Sequence, residues 1–141
     1  MLLHQMDGVM RAAARVILQL PRNGSITGAI SKQLHWLDIR SRINFKLCLL
    51  AYKCQHNLAP TYLSELIVPV SSIESRSHLR SSSSGNLIVP RFSTATFGPR
   101  GFAVSAPMAW NVLPSELKCA DAGLVTFRKK LKTYLFSKMS E

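Results

Sequence analysis

The sequence predicts a mainly helical fold with a small antiparallel β element, an α+β arrangement weighted to helix. Three observations predict it. Apolar residues recur at helical spacing through the first sixty or so positions and again near the C-terminus. A serine-rich stretch unable to form a core separates the two parts. The segment after it holds short clusters of β-forming residues bounded by turn residues. A length of 141 residues suits one domain or part of one, and a 47% hydrophobic fraction excludes wholesale disorder.

Leu2, Met6, Val9, Ala13, Val16 and Leu20 repeat at spacings 4-3-4-3-4, an amphipathic helix stripe. Pro21 and Asn23-Gly24 are expected to end that helix. The stripe calls for a partner, either in this chain or in a larger one. Residues 25–34 suit a short second helix, and Leu34-His35-Trp36-Leu37 an apolar plug for the core. The next helix spans residues 41–57, with Ile43, Leu47, Leu50 and Cys54 as its buried face. Arg42, Lys46, Lys53 and Asn57 form its wet face. Pro60 opens a further helix through residue 67, where its missing N–H costs nothing, and Pro69 stops it.

Residues 1–68 thus form a helical N-terminal part. Residues 69–86, of which eight are serine, form an expected mobile loop. Residues 87–141 carry short strands and C-terminal helices, and the whole suits one incomplete domain. Leu87-Ile88-Val89 and residues 93–97 are strand candidates. Phe102-Ala103-Val104 is either a third strand or an irregular apolar segment. Gly98-Pro99 turns the chain. Pro107 opens a helix over residues 108–113, and Pro114 closes it. A last, basic helix covers residues 124–136, packing Leu124, Phe127, Leu131 and either Tyr134 or Leu135. No fixed-period repeat is present.

Charge narrows the function. Eighteen basic residues against seven acidic give +11. Both halves are basic, so this is not a neutral domain with a basic tail. Residues 39–64 and 75–115 contain no carboxylate. They hold Arg40, Arg42, Lys46 and Lys53, then Arg76, Arg80, Arg91 and Arg100. Arg128, Lys129, Lys130 and Lys132 form a further cluster. Such a surface attracts polyanions, RNA or DNA first, through Coulomb attraction and counterion release. The plainer alternative is a solubilising surface. Trp36 beside Arg40 and Arg42 serves either to stack bases or to fill the core. Trp110 suits a structural anchor.

Catalysis finds little support. The seven acids form no Asp-Asp pair and no D-x-D for Mg²⁺. No G-x-S-x-G elbow or phosphate-binding glycine loop occurs. Cys54-Gln55-His56 lacks the rest of a zinc set. Cys48 and Cys54 lie about 240° apart around a helix, and no C-x-x-C pair exists. An odd cysteine count without a secretory signal suits free, buried thiols in a reducing compartment, nucleus or cytoplasm. The basic, small-residue run from Met10 to Arg15 faintly matches a transit helix, which Asp7 weakens. The longest apolar run, residues 47–52, is far short of the roughly 20 a membrane helix needs, so no membrane partner is expected.

An ordered series of short motifs then carries a resemblance. Leu34-His35-Trp36-Leu37, Arg40, Arg42-Ile43, Phe45-Lys46, Tyr52-Lys53 and Leu58-Ala59-Pro60-x-Tyr62-Leu63 come first. Arg76-x-x-Leu79-Arg80-Ser81, Val89-Pro90-Arg91 and Phe97-Gly98-x-Arg100-x-Phe102 follow. Ala106-Pro107-x-x-Trp110-Asn111-x-Leu113-Pro114 and Phe127-x-x-x-Leu131-Lys132-x-x-Leu135-Phe136 complete it. With Ala12-Ala13-Ala14-Arg15 at its start, the series covers about residues 9–137. It resembles the C-terminal region of non-LTR retrotransposon reverse transcriptases, the jockey-like and chicken-repeat-like long interspersed elements.

The resemblance implies the thumb and the segment beyond it, a region that helps hold template and primer. The catalytic Tyr/Phe-Ala-Asp-Asp motif of that family is absent, so the expectation is a truncated product. It would have no polymerase activity and no cofactor of its own, Mg²⁺ belonging to the complete parent enzyme. The missing palm, or another helical partner, would cover the N-terminal stripe. A helical interaction module, or a decayed product without its own function, stands as the alternative. Arg11 stands where the family often has Asn, and Asp38 where Pro is common; Asp38 is expected to loosen the entry into the basic helix.

Overall fold

The helical spacing of the sequence folds as helix. A computed structural model describes residues 2–73, 84–94, 98–118 and 123–139. Among these residues lie seven α-helices: α1 (Leu2–Leu18), α2 (Thr27–Lys32), α3 (Ile39–Gln55), α4 (Thr61–Ser64), α5 (Phe102–Asn111), α6 (Ser115–Lys118) and α7 (Leu124–Met139). Single 3-10 turns occupy Val70–Ser72 and Gly98–Arg100. The chain divides into two compact units, Met1–Ile43 with Tyr134–Glu141, and Asn44–Thr133.

In the first unit, α1 stops before Pro21 is reached. Gln19 adopts φ +50° and the Leu20 N–H donates to the Arg15 carbonyl at 3.1 Å, a left-handed helix stop. The buried side of α1 is not the regular stripe. Ala14 is fully buried with Ile26 and Ile30, and Leu20, Leu34 and Trp36 pack around them. Leu2, Val9 and Val16 of the stripe are 76, 70 and 78% exposed. A methyl side chain at position 14 lets the residues around α2 approach closely, which a larger group would prevent. Of the expected plug, Leu37 is buried and Leu34 and Trp36 half-buried. His35 is exposed at φ +50°, its ring edge-on to Phe136.

The second unit is built on an aromatic cluster. Tyr52 of α3 stacks on Phe127 of α7 at 4.2 Å between ring centroids, and Trp110 of α5 meets Phe127 at 5.7 Å. Cys48, Ala51, Tyr52 and Cys54 are the buried residues of α3 in this unit. Leu47 and Leu50 are only half-buried and Ile43 is exposed, so the buried face is rotated from the expected one. Small Cys48 and Ala51 permit close packing beside the large Tyr52 ring, and ring area outweighs the leucines. On the part of α7 in this unit, Phe127 and Leu131 are buried and Leu124 half-buried; Leu135, in the first unit, is buried as well.

The expected β element does not form among the described residues. One antiparallel bridge joins Pro69 to Leu87, flanked by Val70 N–H to Asn86 O and Ile88 N–H to Val68 O. Pro69 and Pro90 lack N–H groups, so no longer ladder can propagate through them. Residues 93 and 94 are irregular, and 95–97 lie outside the described residues. Phe102-Ala103-Val104 is the first turn of α5, which therefore starts five residues before Pro107. Gly98 packs so closely on Phe92 that a Cβ would sit 2.7 Å from it, and this tight turn delivers the chain to α5. Val70 and Asn86, near the two ends of the expected loop, are joined by one of these bonds; residues 74–83 lie outside the described residues.

Candidate nucleic-acid interface

In the first unit the cationic site gathers at the start of α3. Arg40 and Arg42 are both exposed. The Arg42 guanidinium lies over the Trp36 ring, 5.5 Å from its centroid, and its Nε–H donates to the Leu37 carbonyl at 2.9 Å. One of its five N–H groups is engaged there, and the rest of the fork is held in a fixed orientation. Trp36 is half-buried, packed on the Ala14, Ile26 and Ile30 cluster with Arg42 over its ring, so it fills the core edge. Asp38 caps α3: its Oδ1 accepts the Ser41 N–H at 2.8 Å. The departure expected to loosen this entry instead fastens it.

In the second unit Lys46 is exposed and Lys53 half-buried, seven residues apart on one side of α3. Arg91 is exposed in the segment after Pro90, and Arg100 in the 3-10 turn before α5. Arg128, Lys129, Lys130 and Lys132 are exposed on α7, Lys129 and Lys132 on the side away from Phe127 and Leu131 and the other two flanking it. Arg76 and Arg80 lie outside the described residues. Arg40, Lys46, Lys129 and Lys130 have no carboxylate partner among the described residues. Their N–H donors face water and can be given to phosphate.

Two features were not signalled by the sequence. Asn111 grips the Leu87 backbone at both ends, its Oδ1 accepting the N–H and its Nδ2 donating to the carbonyl, each at 2.8 Å. A cavity of about 250 Å³ in the first unit is lined by Asp7, Met10, Arg11, Thr27, Ile30, Asp38 and Met139. Its two carboxylates come from residues 31 apart, beyond the reach of any local motif. Among the described residues no three His, Cys, Asp or Glu side chains are grouped to hold a metal ion. Cys48 and Cys54 are free and buried, and Cys119 lies outside the described residues. Burial pushes the Cys48 thiol up to about 12 and also raises Cys54, whose bond with Ser64 offsets part of the rise. Neither offers a thiolate nucleophile at neutral pH.

No protein-family model, curated protein or solved structure matches the chain. Among the described residues no helix is long and apolar enough to cross a membrane. The fold and the surface define a basic, mainly helical protein with exposed cations in each of its two units.

Proposed function

We propose that the chain is the C-terminal, thumb-and-beyond region of a non-LTR retrotransposon reverse transcriptase. In this proposal it holds RNA or DNA by the phosphate backbone and synthesises no DNA itself. The observation that carries it is the set of exposed cations Arg40, Lys46, Lys129 and Lys130, which have no carboxylate partner among the described residues. A cation without a carboxylate partner gives its full charge to a phosphate and releases a condensed counterion. Arg42, fixed over Trp36, adds an oriented guanidinium suited to two phosphate oxygens. With Trp36 filling the core edge, the contact lies with the backbone, which confers register but no base preference. The buried, unlinked Cys48 and Cys54 suit a reducing compartment, nucleus or cytoplasm. Mg²⁺ and deoxynucleotides belong to the parent enzyme in this scheme.

Fluorescence anisotropy with labelled RNA and DNA duplexes tests it. For about five phosphate contacts, log K falls with log salt at a slope of about −4 to −5. The double variant Arg40→Glu, Lys46→Glu weakens binding to every sequence alike and reduces that slope by about two. Unchanged affinity in the variant, or no salt dependence in the parent chain, sinks the proposal. Extension of a primer by the purified chain with Mg²⁺ would overturn its non-catalytic half.

A further inference from the structure

The face of α1 that the fold leaves open is the most regular one in the chain. Leu2, Met6, Val9, Ala13 and Val16 keep a strict seven-residue period along α1, the pattern of a helix that packs lengthwise on another helix, and Leu20, past the helix end, turns into the core. Met6 is 51% exposed and its neighbours Leu2, Val9 and Val16 more so. The positions bordering this seam carry no charge. Gln5 and Ala12 lie along one edge, and Leu3, Met10 and Ile17 along the other. Asp7, Arg11 and Arg15 fall on the far side of the helix.

We infer that this face pairs with the same face of a second copy of the chain, the two α1 helices antiparallel. In one register Met6 lies opposite Val16 and Val9 opposite Ala13, with each Leu2 beyond the last layer. Apolar groups meet apolar groups, so the helix is complementary to its own reverse. The net +11 of each copy does not oppose the contact directly, because no charged side chain lies in the seam or along its borders.

Area sets the strength. The open side chains present roughly 500 Å² per copy, at the upper end of the apolar patches of monomers, and two copies remove about 1,000 Å² from water. That is the lower limit for a specific interface, so the dimer is reversible. A bilayer surface fits less well. Helices lying on lipid carry Lys or Arg beside the apolar face and aromatic residues at its edge, where this helix has Gln, Ala, Leu and Met.

Sedimentation velocity of the full chain, freed of nucleic acid and run at high salt over a range of concentrations, tests the inference. The expected result is a monomer–dimer equilibrium that salt does not weaken. Val9→Asp raises the dissociation constant at least about tenfold by placing an unpaired charge in the seam, and Val16→Asp does the same. Val112→Asp just past the end of α5, at a side chain 76% exposed, leaves association unchanged. Circular dichroism of each variant matches the parent chain. In a chain carrying Met6→Cys and Val16→Cys, oxidation joins position 6 of one copy to position 16 of the other. A monomer at every concentration overturns the inference, as does association that salt abolishes or that Val9→Asp spares. Val9-dependent binding to phosphatidylglycerol vesicles by a chain that stays monomeric would replace the second copy with a lipid surface.

Discussion

Asn111 does for one residue what a ladder does for a strand. Leu87 is buried, and both its backbone groups would lie unsatisfied without the amide that meets them at 2.8 Å. Trp110 Nε1–H donates to the Gly85 carbonyl, and Lys118 Nζ to Asn86 Oδ1, so three side chains hold residues 85–87. Gly85, at φ +67°, supplies the left-handed turn that presents its carbonyl there. The sequence indicated Trp110 as an anchor from its size. It could not indicate Asn111, whose partner lies 24 positions away, beyond the reach of any local motif. Asn111→Ala is expected to lower unfolding stability in urea by about 2–4 kcal/mol, since two buried backbone groups lose their partner. Trp110→Phe keeps the ring contact with Phe127 and loses one bond, about 1 kcal/mol. Equal losses in the two variants, or none in the first, would show that the Leu87 grip contributes nothing.

Helix positions were legible in the sequence, while helix faces were legible only in part. Apolar period located α1, α2, α3 and α7 to within a few residues, because spacing and turn residues act locally. Which face is buried depends on what packs there, and that is not local. On α1 the chain buries the side of Ala14 and leaves the regular stripe open. On α3 it buries Cys48, Ala51 and Tyr52 in place of Leu47 and Leu50, while the cationic face at Arg42 and Lys46 stays wet as expected. Pro107 misled for a different reason. It sits inside α5, where one missing hydrogen bond is tolerated in a helix fixed at its end by Trp110 and Asn111. A pair of substitutions separates the two faces of α1. Ala14→Leu forces bulk against Ile26 and Ile30 and costs about 1–3 kcal/mol. Val16→Ser, measured at a dilution where the chain is monomeric, stays within about 0.5 kcal/mol. Were the stripe the buried face, these two results would exchange places.

At the scale of the whole molecule, charge is the property most fully carried by composition, and it acts on stability as well as on binding. Eighteen cations against seven acids repel one another in any compact state. Arg40, Lys46, Lys129 and Lys130 have no carboxylate near enough to offset that field among the described residues. Added salt therefore screens repulsion more than attraction. Raising sodium chloride from about 0.01 to 0.15 M shortens the screening length from about 30 to 8 Å. This is expected to stabilise the fold by roughly 1 kcal/mol, or about 3–5 °C in Tm. The measurement belongs in the Val9→Asp variant, so that self-association does not enter it. A chain held by surface ion pairs would respond in the opposite sense, and a falling Tm would show that compensating acids lie where the composition gives them no numbers. A rise reversed by Arg40→Glu with Lys46→Glu would locate the excess field on α3. The cost of that field to the folded state and the attraction it offers a phosphate backbone would then be two readings of the same excess positive charge.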